Sequence, residues 1–103
     1  MDPTDTEIVR LCAKASGWKT KFVEPNGIYV LREKNPKSDW NHYDPLHDDA
    51  QCFALVKKHR ILVKPMPDGK WFALAFWEYT ETLSEDLNRA ICECVSKMQK
   101  AKE

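Results

Sequence analysis

The segment Trp71-Phe72-Ala73-Leu74-Ala75-Phe76-Trp77-Glu78-Tyr79 constrains the fold more than any other part of the chain. Alternate residues of an extended strand point to opposite faces. Trp71, Ala73, Ala75, Trp77 and Tyr79 would therefore line one face, and Phe72, Leu74 and Phe76 the other. Both faces are apolar, and such a strand belongs at the centre of a sheet with a layer over each side. The run from Trp71 to Trp77 falls far short of the roughly 20 residues a membrane helix needs, so the covering layers must come from the rest of the chain.

Those layers are legible as helices. Thr4-x-x-Glu7 has capping-box spacing, and Ile8, Leu11, Cys12 and Ala15 recur at three and four residues before Gly17 stops the run, a first helix of about three turns. The β-prone stretch Trp18 to Val23, the turn signal Pro25-Asn26-Gly27 and the run Ile28-Tyr29-Val30-Leu31 predict a hairpin. Glu33 to Asp39 reads as a polar surface loop carrying Pro36. A second helix starts near His47 or Asp48, because Asp48 and Asp49 suit the positive end of a helix and Lys57, Lys58 and His59 its negative end. Its apolar stripe is Leu46, Ala50, Phe53 and Ala54 with the stem of Lys57, widened by Cys52, Leu55 and Val56, so most of this helix is expected to be covered.

Arg60 to Lys64, the turn Pro65-Met66-Pro67-Asp68-Gly69 and the strand Trp71 to Tyr79 predict a second hairpin. Thr82-x-x-Glu85, or Ser84 itself, then caps a third helix in which Leu87, Ala90, Ile91, Cys94, Val95 and Met98 keep the helical period. The order α-β-β-α-β-β-α around a two-sided strand implies an α/β fold of the α+β type. The expected architecture is an α/β/α sandwich on a mostly antiparallel sheet of about four strands, formed as a single domain over residues 1–103.

Cys12, Cys52, Cys92 and Cys94 include no C-x-x-C pair, so their spacing predicts neither a zinc knuckle nor a redox motif. Reduced thiols are the economical reading, with Cys12 and Cys94 as small core residues, and a disulfide scaffold is the alternative. Cys92 and Cys94 sit about 200° apart around a helix, which would turn one to the core and the other to solvent. Sixteen Lys and Arg balance sixteen Asp and Glu, so no basic field makes duplex nucleic acid the default partner. Lys97, Lys100 and Lys102 read as a solvated helix end. The opening Met1-Asp2-Pro3-Thr4 is acidic and polar, unlike a signal peptide.

Three segments carry a family likeness: Ala15-Ser16-Gly17-Trp18, then Asp39-Trp40-Asn41 through Tyr43-Asp44-Pro45-Leu46-His47-Asp48-Asp49-Ala50, and Arg89-Ala90-Ile91-Cys92. Together they resemble the phage α-β-α (ABA) sandwich domain family of small bacteriophage proteins. The resemblance spans nearly the whole chain and implies the layered fold and a phage or prophage origin; with no membrane-length apolar run and no signal-peptide pattern, the host cytoplasm is the expected location. It implies no reaction and no catalytic residues.

The densest polar cluster is His42, Asp44, His47, Asp48 and Asp49, whose residue types suit a metal, although helix capping explains an Asp-rich helix start equally well. Cys52 with His47 or His59 is a conceivable nucleophile pair that lacks an oxyanion device in the sequence. Phosphate-cradling glycine loops are absent. Trp71, Trp77 and Tyr79 with the alanines between them could floor a ligand site or seat a helix. Trp40 and Tyr43 flank a polar loop and must either plug the core or stand exposed for a partner.

The expected function is non-enzymatic: occupation of a host protein through Trp40, Tyr43, Asp44, Asp48 and Asp49, as in a counter-defence or host-takeover inhibitor, with no cofactor, metal or membrane. Sequestration of a small ligand or nucleotide on the aromatic floor is the alternative, and a metal-dependent hydrolase a third.

Overall fold

A computed structural model describes residues 3–23, 27–31 and 40–103, leaving Pro25, Asn26 and the loop expected from Glu33 to Asp39 outside the described residues. Helix α1 (Pro3–Ala15) is followed by strands β1 (Lys19–Val23), β2 (Gly27–Leu31) and the short β3 (Asn41–His42). Helix α2 (Asp49–His59) leads to β4 (Ile61–Pro65) and β5 (Trp71–Ala75). A 3₁₀ turn (Phe76–Glu78), β6 (Thr80–Ser84) and helix α3 (Leu87–Ala101) complete the order. None of the described helices is long and apolar enough to cross a membrane.

The α+β class and the antiparallel pairing are as expected, but the strands are divided differently. In place of one sheet of about four strands there are two sheets of three, β1-β2-β3 and β4-β5-β6. The two-residue strand β3 pairs Asn41 with Val30 and His42 with Tyr29. It adds the third strand to the first sheet from a stretch too short to show a period.

The second sheet gains its third strand because β5 ends at Ala75 and does not run to Tyr79. Residues 76–78 wind into the 3₁₀ turn and Tyr79 adopts a left-handed conformation with φ 50, which reverses the chain into β6. Thr82, read from sequence as a helix cap, is therefore a central β6 residue whose hydroxyl donates to the Ala90 carbonyl at 2.5 Å. The cap of α3 is Asp86, whose carboxylate accepts from the Arg89 N–H at 2.9 Å.

Helix α3 is the hub: it packs on α1, α2, β5 and β6, while α1 also packs on β1 and β2. Being surrounded, it buries Ala90, Ile91, Cys92, Cys94, Val95, Ser96 and Met98. The expected split between Cys92 and Cys94 is thus corrected, since both thiols are fully buried. The Cys12 thiol of α1 donates to the Cys92 carbonyl at 3.4 Å, and the Cys94 thiol donates to the Thr80 carbonyl of β6 at 3.5 Å. All four cysteines are free.

Helix α2 presents a different face from the one expected. Cys52 and Leu55 are buried and Val56 packs on the core, while Ala50 and Ala54 are exposed and Phe53 is 58% exposed. The sequence holds two overlapping stripes on this helix, and docking against α3 covers Cys52, Leu55 and Val56 and leaves Ala50, Phe53 and Ala54 outside, while Leu46 before the helix is buried as expected. His59 continues the buried side, with Nε2 enclosed and without a hydrogen-bond partner among the described residues.

Burial, with Lys58 and Lys102 nearby, pushes the His59 imidazole below its usual value. An unfolded chain takes up this proton as pH falls through about 6.5, whereas the folded chain resists until lower pH. The stability His59 lends is therefore complete above that value and lost on acidification. Urea midpoints of the native chain should fall between about pH 7 and about pH 5.5, and fall less in a His59→Gln variant. Identical pH slopes in the two would contradict this account.

Candidate functional site

The expected aromatic pair is separated by the fold. Tyr43 is 1% exposed and meets the edge of Trp18 at a ring-centroid distance of 5.4 Å. Its N–H donates to the Ile28 carbonyl at 2.9 Å, which ties the segment to the open side of β2. Tyr43 is a core plug. Trp40 is 37% exposed, with Lys21 Nζ 4.6 Å from its ring centroid, so it remains available at the surface.

The acidic residues do structural work at two helix starts. Asp48 is the N-cap of α2 and its Oδ1 accepts from the Gln51 N–H at 2.9 Å. Asp44 Oδ2 lies 2.8 Å from His47 Nδ1, and its Oδ1 is buried without a hydrogen-bond partner among the described residues. Gln51 closes the loop: its side-chain oxygen accepts from the Asp44 N–H at 2.7 Å and its amide donates to the His42 carbonyl at 3.0 Å. Gln51 escaped the sequence reading although Asp48-x-x-Gln51 has capping-box spacing. Asp49 Oδ1 accepts from Asn88 Nδ2 at 2.9 Å, joining the starts of α2 and α3.

His42, Asp44, His47, Asp48 and Gln51 line a hollow of about 390 Å³. No three His, Cys, Asp or Glu side chains among the described residues are grouped to hold a metal ion. Cys52 donates to the Asn88 carbonyl at 3.7 Å. Its pKa is pushed far up by the neighbouring Cys92 thiol and by burial, so it stays a thiol rather than the thiolate a nucleophile requires.

The expected aromatic floor is likewise divided. Ala73 and Ala75 are buried under α3, Trp71 packs against the core, and Trp77 and Tyr79 are 75% and 89% exposed on the turn. A larger hollow of about 530 Å³ lies between α1 and α3. Its Arg89 is already paired with Asp5 and Glu93, each at 2.7 Å.

What the fold does bring together is a groove of about 420 Å³ between α2 and α3, lined by Asp49, Cys52, Phe53, Asp86, Leu87, Asn88 and Ile91. Phe53, turned outward by the docking of α2, stands beside Asp49 and Asp86, with Lys57 Nζ 5.1 Å from its ring centroid. Two helix starts add positive ends worth about half a charge each. Asp49 and Asp86 set two carboxylates on the groove against these ends, with the Lys57 ammonium at its edge over Phe53. The sequence places Phe53 on the stripe expected to be covered, and the docking of α2 leaves it at the surface instead. No family model and no curated protein matches the chain.

Proposed function

We propose that the chain is a non-enzymatic binding protein that occupies a basic surface of a partner protein with its α2–α3 groove. The observation that carries this reading is Phe53, a large ring 58% exposed on a helix that had a covered alternative, set beside Asp49 and Asp86. A few desolvated aromatic residues carry most of the energy of a typical interface, and surrounding charges set orientation and association rate. Asp48 and Asp49 keep the rim role expected of them, and Phe53 takes the anchor role expected of Tyr43. Trp40 is a second contact next to the same segment. The resemblance to phage sandwich proteins makes a host protein in the host cytoplasm the proposed partner, and counter-defence or host takeover the purpose.

The test is capture from a bacterial lysate on the immobilised full chain. A single stoichiometric partner should be retained, and Phe53→Ala should reduce its capture at least tenfold. Asp49→Asn with Asp86→Asn keeps side chains that cap and hydrogen-bond. That double variant should slow association, with an effect that shrinks at high salt. Equal capture by a Phe53→Ala variant that melts like the parent would overturn the proposal.

A further inference from the structure

The sheet β4-β5-β6 is built with its bulk on the wrong side for a chain that acts alone. Its registers place Leu62, Leu74 and Glu81 in one row across the strands, and Lys64, Phe72 and Leu83 in the next. These six residues share one face. The opposite face, which meets α3, carries the small residues Ala73, Ala75 and Thr82 at its centre. An antiparallel sheet with one free face ordinarily turns polar residues outward. Here four of the six outward positions are Leu or Phe, with Leu62 53% and Leu83 48% exposed.

The charges on this face point to what covers it. Lys64 and Glu81 occupy diagonally opposite corners of the six-residue block. Strand spacing separates them by about 12 Å, and neither has an ion-pair partner among the described residues. A two-fold axis in the plane of the face, running near the Leu62 to Leu83 diagonal, would lay Lys64 of each copy over Glu81 of the other. The same operation stacks Leu62 on Leu62 and Leu83 on Leu83, with Phe72 beside Leu83 and Leu74 beside Leu62. From the same spacings the strands of the two copies cross at roughly 70°, near the orthogonal class of sheet packing. A self-complementary face of this kind is what an isologous dimer requires, whereas an unrelated partner needs no such antisymmetry. The chain's net charge of zero removes the long-range repulsion that would oppose association.

We infer that the outer face of β4-β5-β6 is the interface of a symmetric homodimer, with Lys64 and Glu81 as the reciprocal pair that fixes its orientation. The inference is independent of the α2–α3 groove. Three strands of five residues give a contact at the lower end of specific interfaces, so the dimer dissociates on dilution.

Sedimentation equilibrium of the full chain tests this. The apparent mass should rise with concentration from 12.0 kDa towards twice that value. Lys64→Glu alone and Glu81→Lys alone should each raise the dimer dissociation constant at least tenfold, since each sets like charges together. The double variant should restore association to within about threefold of the parent, because the exchanged charges again attract and the two positions are coupled across the interface. Circular dichroism melting of each variant checks that it is folded. A monomer at millimolar concentration would overturn the inference and leave the face to a different protein. So would single reversals without effect, or a folded double variant that fails to recover.

Discussion

Truncation of Tyr43 to Ala should unfold the chain far more readily than truncation of Trp40. Tyr43 is fully enclosed, with its ring against Trp18 and its backbone tied to β2. Removing a buried aromatic side chain costs the transfer energy of its atoms and leaves a cavity, together about 3–5 kcal/mol. In a domain of this size each kcal/mol lowers the melting temperature by about 4 °C or more. Trp40 has only its partial burial and the Lys21 ammonium over its ring, a contact worth about 0.5–1 kcal/mol at an exposed site. Trp40→Ala should therefore cost less than Tyr43→Ala, about 1–3 kcal/mol from its partial burial and the Lys21 contact. Chemical denaturation of the two variants side by side decides the matter, and equal losses would show that Tyr43 is not the plug of the first sheet.

The second large effect is expected in α3. Ile91 is 4% exposed at the meeting of α2 and α3, whereas Leu87, one turn earlier, is only half-buried at the groove mouth. Both belong to the stripe that the sequence reads as one apolar face, but they are unequal in the fold. Ile91→Ala should cost about 2–5 kcal/mol, and Leu87→Ala about 1 kcal/mol, in proportion to the smaller area it withdraws from water. Denaturant midpoints that rank the two in the opposite order would show that α3 is rotated from the placement described.

The difference between these residues marks how far local pattern reaches. Helix α1, both hairpin starts and the run of α3 were legible because the local signal is strong in each, the apolar period in the helices and the strand and turn residues in the hairpins. Asp48 was legible as a helix start for the same reason. The face of α2 was not, because Phe53 with its neighbours and Cys52 with Leu55 and Val56 form two stripes of similar period. Only the packing of Cys52 and Leu55 against α3 chooses between them. The end of β5 was not legible either: Phe76, Trp77 and Tyr79 favour strand, and Tyr79 takes a left-handed conformation without the glycine that usually announces one. Thr82-x-x-Glu85 satisfies capping-box spacing while Asp86 does the capping, since Thr82 is committed to β6. Tyr43 as plug or anchor depended on Trp18, which lies on the far side of a hairpin in the sequence. The acidic rim of the candidate site was visible in the chain, and its apolar anchor was decided by tertiary contacts.

The central claim is that the α2–α3 groove is the surface that meets a partner. Titration of the isotope-labelled chain with the captured partner, followed by backbone amide shifts, tests it most directly. The largest shifts should fall at residues 49–53 and 86–91, around Phe53, Asp49 and Asp86. Shifts confined to Trp40 and His42, or to the outer face of β4-β5-β6, with Phe53 and its neighbours unmoved, would contradict it.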